Sequence, residues 1–200
     1  MRPFFNLILI LFFGVSSNAQ NAYEDEPDRY NCDTILKGGY SISFQVDDSL
    51  QYLYLKKGGK TISELASTSR GFLQKNLGYI GGDFTHYFVL VHSFGSGNAH
   101  YIELIRKSTG KNVLNNGAAW IDIDQEKELL LYCEDAVPLA KDKMILYNIA
   151  TGQKQLFSFP GDIINKPQVL NRIQISKITD KQLVIKYKSE RGSMTKTYNR

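Results

Sequence analysis

From Tyr40 onward the sequence is a succession of short runs of β-branched and aromatic residues, each cut after five to seven positions by glycine, asparagine or aspartate. Helical periodicity is nearly absent, which leaves antiparallel strands joined by tight turns as the way to build this chain. The runs predict strands over 40–46, 50–55, 61–65, 87–93, 101–106, 120–124, 128–133, 144–149, 155–159, 172–178, 183–187 and 194–198. In the first, Ser41, Ser43 and Gln45 alternate with Ile42, Phe44 and Val46, the period-two pattern of a half-buried strand. The run Tyr87-Phe88-Val89-Leu90-Val91 is apolar on both parities and reads as a strand buried on both faces. A short helix is expected only within 63–75.

A shift of about 42 residues lays Tyr87–Val91 on Leu129–Cys133, Ile102 on Met144, Leu104 on Leu146, Thr109-Gly110 on Thr151-Gly152 and Leu114 on Leu156. Each copy runs from an apolar strand through a polar loop to an amphipathic strand, a Thr-Gly turn and a further strand. Glycine there supplies the positive φ that a tight hairpin requires. Gly58-Gly59-Lys60 reads as a degenerate earlier copy and 180–198 as a truncated last one. At 200 residues, 42% hydrophobic and 22% charged, the chain suits one domain, and twelve Tyr and eleven Phe against five Pro exclude disorder and collagen-like structure.

The segment holding Trp120-Ile-Asp-Ile-Asp, 128–133, Met144-Ile-Leu-Tyr-Asn-Ile-Ala-Thr-Gly-Gln and 155–159 resembles one four-stranded β-propeller blade, ending in the Thr-Gly hairpin of WD-like and quinoprotein-like blades. The Trp-Asp and Gly-His signatures of WD repeats are missing, since Ile121 separates Trp120 from Asp122. The resemblance implies an all-β fold of antiparallel meander or hairpin units, propeller-like; a β-sandwich or barrel is the alternative.

At the N-terminus, Arg2, the apolar stretch 4–15 and Ser17-Asn18-Ala19 match the three parts of a secretory signal peptide cut before Gln20. The stretch is shorter than the roughly 18 apolar residues a spanning helix needs, and it holds Asn6. The expected organisation is a signal peptide over 1–19, an acidic irregular lead over 20–37 and a single all-β domain over 38–200. The chain is expected to be exported, periplasmic or secreted, with no transmembrane segment after cleavage. In such a compartment Cys32 and Cys133 are candidates for a disulfide, whose loop of about 100 residues is worth up to ~4.7 kcal/mol in the chain-entropy model. The plainer reading of Cys133 is a small buried hydrophobe.

The chemistry-bearing residues form no convincing catalytic set. His86 and His92 share a strand parity but lie about 20 Å apart, so a metal would need His92, His100 and a carboxylate such as Glu103 to meet across a hairpin. The run Asp122, Asp124, Glu126, Glu128 has Lys127 where a calcium loop needs glycine and Cys133 where it needs glutamate. It reads instead as a strand end with Ile121 and Ile123 inward and both aspartates outward. Phe94-Gly95-Ser96-Gly97-Asn98 lacks the spacing of a nucleophile elbow, and Lys57-Gly58-Gly59-Lys60 opens no helix to hold a phosphate. No cofactor is expected.

Charge is divided unevenly. Residues 20–140 hold eleven basic and sixteen acidic residues, whereas 141–200 hold twelve basic and four acidic. Lys177, Lys181, Lys186, Lys188, Arg191, Lys196 and Arg200 alternate with Ile, Val and Tyr, as expected of the wet face of strands whose other face is core. These features lead to an exported, non-enzymatic β-domain that binds a protein or glycan partner, not nucleic acid, through Phe94, Ser96, Asn98 and His100 of a hairpin loop and through Lys186 and Lys188. The alternatives are a secreted hydrolase built on His92, His100 and Asp124, and a structural cell-envelope component docking by its basic final strands.

Overall fold

The computed structural model describes residues 33–71, 77–93, 99–114, 117–134, 143–163 and 169–200. They form fifteen strands, with one 3₁₀ turn at Val169–Arg172 and no α-helix among them. An N-terminal sheet has the order β1 (Thr34–Leu36), β2 (Tyr40–Val46), β3 (Leu50–Lys57), β4 (Lys60–Ser69). The central sheet contains β5 (Tyr79–Asp83), β6 (Tyr87–His92), β7 (Tyr101–Arg106), β8 (Lys111–Asn112), β9 (Ala119–Asp124), β10 (Leu129–Cys133), β11 (Lys143–Asn148) and β12 (Lys154–Ser158). Its order is β12-β11-β10-β9-β7-β6-β5, with β8 a branch on β7. A C-terminal sheet joins β13 (Ile173–Ile178), β14 (Gln182–Ser189) and β15 (Gly192–Asn199). Every pairing is antiparallel, as expected, and the described strands close neither a barrel nor a propeller. Among them no helix is long and apolar enough to cross a membrane.

The turns follow from local chemistry. Asp47 closes β2 on β3 by accepting the N–H groups of Leu50 at 2.7 Å and Ser49 at 2.9 Å and the Tyr52 hydroxyl at 2.8 Å, which holds its carboxyl at about 2. Thr109-Gly110 and Thr151-Gly152 occupy the β7–β8 and β11–β12 connections, with φ of 69° and 74° at the glycines.

The central sheet is buried on both faces. Phe88, Leu90 and Ile105 pack with Leu36, Ile42, Phe44, Leu53 and Leu55 of the N-terminal sheet. Ile121, Leu129, Leu131, Met144 and Leu146 pack with Ile173, Leu183, Ile185 and Tyr187 of the C-terminal sheet. The opposite parity, Val89, Val91, Ile102, Leu104, Leu130, Tyr132 and Ile145, forms a third cluster. There the sheet curls on itself. Strands β5 and β9 stand three spacings apart, ~14 Å in a flat sheet, yet a Cβ on Gly81 would lie 3.2 Å from Trp120 and one on Gly82 2.6 Å from Ile123.

Three expectations are corrected. Residues 63–69, expected to open a helix, belong to strand β4. Thr34–Leu36, inside the expected irregular lead, pairs with β2. Ile121 and Ile123 do not share a face: a bulge opposite Leu131 and Tyr132 sends Ile121 toward the C-terminal sheet and Ile123 to the other side.

Candidate functional site

The β6–β7 hairpin sets the histidines. His92 faces Tyr101 across the ladder, so the next position pairs Ser93 with His100 on the opposite face of the sheet. His100 accordingly meets Ser93 Oγ at 3.5 Å and the Tyr79 hydroxyl at 3.2 Å. His92 lies on Glu103's face, with Nε2 3.5 Å from Oε1 and no hydrogen-bond partner. Alternation therefore prevents His92, His100 and Glu103 from sharing a metal ion, and no three His, Cys, Asp or Glu among the described residues are grouped to hold one. Asp124 ends β9 five residues beyond Ala119, the partner of Tyr101, roughly 16 Å along the strand from the histidine end. The residues expected of a hydrolase are not brought together. Phe94, Ser96 and Asn98 lie outside the described residues, as does Cys32; Cys133 is fully buried at the end of β10.

The two aspartates of the acidic segment are structural. Asp122 Oδ2 accepts the Ile175 N–H of β13 at 2.6 Å, so it faces the C-terminal sheet and not solvent. Asp124 caps the β9–β10 turn through the Lys127 N–H at 3.1 Å, and Lys127 Nζ donates to the Ile178 carbonyl at 2.5 Å.

Lys186 and Lys188 are exposed on β14, two residues apart on its outer side, while Leu183, Ile185 and Tyr187 fill the inner side. The register places Gln174 and Thr195 beside Lys186, Ser193 beside Lys188, and Lys177 and Thr197 beside Val184. The outer face of this sheet is thus a field of amides and hydroxyls bearing three ammonium groups, with no carboxylate at an outward strand position. Lys196 departs from expectation: it lies on the other parity with its ammonium 4.9 Å from the Tyr198 ring centre. Arg200 is tied to Gln155 at 2.7 Å and to the Thr179 carbonyl at 2.8 Å.

Sequence reasoning missed a cleft of about 290 Å³ at the other end of the β6–β7 hairpin, lined by Tyr40, His86, Tyr87, Arg106, Lys107 and Ser108. Its residues come from two sheets and from segments up to 68 positions apart, so no local motif marks it; the only trace is the Arg106-Lys107-Ser108 run leaving β7. Comparison of the chain with protein-family models, with curated proteins and with solved structures finds no match.

Proposed function

We propose that the chain is an exported, non-enzymatic β-domain that holds an anionic glycan on the outer face of its C-terminal sheet. The observation that supports this reading is the makeup of that face: Lys177, Lys186 and Lys188 among Gln174, Gln182, Ser193, Thr195 and Thr197, with no carboxylate at an outward strand position. Cores of protein–protein interfaces are enriched in Tyr, Trp, Met and Arg and depleted of Lys and Ser. A hydrated polyanion needs what this surface offers, a positive field and dispersed hydrogen-bonding groups. Export by the signal peptide over 1–19 belongs to the same proposal. So does the repeat, in which β5–β8 and β9–β12 are two copies of one four-stranded, blade-like unit.

The test is retention of the purified chain on immobilised heparin against neutral dextran. Retention on heparin alone, reversed by added salt and lost in the Lys186→Glu/Lys188→Glu double variant, is expected because exposed charge pairs are screened within ~8–10 Å at physiological ionic strength. Equal behaviour on both polymers, or a charge-reversed variant retained like the parent, would reject the reading.

A further inference from the structure

The geometry points to a second, independent binding site in the Tyr40–Tyr87–Arg106 cleft, for a single ring-shaped ligand that carries an oxyanion. Tyr87 and Arg106 are directly opposed across the β6–β7 ladder, and the guanidinium carbon stands 5.7 Å from the Tyr87 ring centre. Among the described residues that ring is the only partner of the guanidinium, which makes no ion pair or hydrogen bond. This cation–π contact leaves all five N–H donors of the exposed guanidinium unused. His86 stands exposed beside it on the β5–β6 turn, and its carbonyl accepts the Lys107 N–H at 2.9 Å.

Tyr40 of the N-terminal sheet also lines the cleft, a half-buried ring with the Lys57 ammonium 4.6 Å and the Lys107 ammonium 5.7 Å from its centre. Lys107 itself is spent: its ammonium meets Asp83 at 2.6 Å, the Phe84 carbonyl at 2.6 Å and the Lys37 carbonyl at 2.9 Å. That arrangement also neutralises Asp83, the nearby carboxylate, so the unspent positive charge lining the cleft is that of Arg106, with Lys57 beside Tyr40. A free guanidinium favours bidentate recognition of a planar or tetrahedral oxyanion. The volume, about 290 Å³, lies just below the 300–1,000 Å³ typical of ligand pockets and matches a single ring. A small cleft lined by two tyrosines and one unspent arginine therefore fits a monosaccharide-sized ring bearing a carboxylate or phosphate.

Calorimetric titration with glucuronate, glucose 6-phosphate, glucose, acetate and inorganic phosphate separates the parts. Glucuronate, glucose 6-phosphate or both should bind at least tenfold more tightly than glucose and than the bare anions, and the tighter of the two identifies the oxyanion. Arg106→Gln should weaken that binding at least tenfold, with Arg106→Lys recovering little of it because an ammonium cannot pair bidentately. Should Arg106→Gln fail to fold, phenylglyoxal modification of the unsubstituted protein gives the same answer, with ligand protecting Arg106 in the peptide masses. Bare anions binding as well as their ring-borne counterparts, glucose binding as well as glucuronate, or no Arg106 effect and no protection would each overturn the site. The Lys186→Glu/Lys188→Glu variant should keep this binding, so failure of the glycan-face reading and failure of the cleft are told apart.

Discussion

A lysine with 1% of its surface exposed must place all three ammonium protons inside the protein, and Lys107 does so on Asp83, the Phe84 carbonyl and the Lys37 carbonyl. Burying an ammonium costs several kcal/mol, which only this complete set of partners offsets. Asp83 depends on it in turn: Oδ2 accepts the Lys37 N–H at 2.7 Å, while Oδ1 has the Lys107 ammonium alone. Removing the lysine would strand a partly buried carboxylate and two carbonyls. Lys107→Ala should lower the unfolding free energy by about 3–5 kcal/mol, read by urea denaturation, whereas Lys111→Ala on the exposed neighbouring strand should change it by less than about 0.5 kcal/mol. A loss below ~1 kcal/mol at Lys107 would mean that the side chain reaches solvent instead. Nothing in the sequence distinguishes these two lysines, because one acceptor of Lys107 lies 70 residues away.

At the scale of elements, the two Thr-Gly turns are alike in sequence and unlike in surroundings. Both glycines take positive φ, which an alanine adopts at a cost of about 1–2 kcal/mol. A Cβ on Gly152 would meet only the Tyr147 hydroxyl at 3.6 Å, but one on Gly110 would stand 2.3 Å from the Ser63 Cβ of strand β4. Gly152→Ala should therefore show the backbone cost alone. Gly110→Ala should exceed it by about 1–3 kcal/mol, the usual range for overpacking, and equal melting temperatures for the two variants would contradict the packing of this turn on β4. The strands themselves were largely legible because apolar residues recur at every second position or fill both parities. Where that signal failed, the structure gives the reason. Bulges leave Ile62 and Leu65 of β4 without partners in β3, so Ile62, Leu65 and Ala66 fall at the i, i+3, i+4 spacing of a helix. Strand β5 was hidden by Gly81-Gly82, which local propensity counts against a strand, although the approach of Trp120 and Ile123 leaves no room there for a side chain.

The molecule as a whole is a central curled sheet with a smaller sheet fastened near each end of one face, and those fastenings were not legible. Asp122 meets the Ile175 N–H 53 residues away, Lys127 meets Ile178 at 51, and the cleft assembles its walls at similar separations. Period-two reasoning assigns a residue to a face but does not say which other sheet lies on it, so the sequence alone makes Asp122 a solvated residue. The seam with the C-terminal sheet makes a further consequence measurable. Tyr198 of β15 donates its hydroxyl to the Ser158 carbonyl of β12 at 2.7 Å and packs its ring 5.3 Å from that of Phe157. Burial raises the pKa of Tyr198, with the neighbouring Tyr187 adding to it, and burial likewise raises that of Tyr187. A phenol whose pKa is higher folded than unfolded keeps its proton longer in the native state. Its contribution to stability is then complete below the unfolded value near 10 and declines as pH rises above it. Urea denaturation should show the parent losing stability between pH 9 and pH 11. Tyr198→Phe keeps the ring and loses one hydrogen bond, about 1 kcal/mol at pH 8, but it cannot ionise. The gap between variant and parent should therefore shrink as the solution becomes alkaline, since the lysines that titrate in the same range are common to both. A gap that stays constant or widens from pH 8 to pH 11 would show that the Tyr198 hydroxyl is not held in this seam.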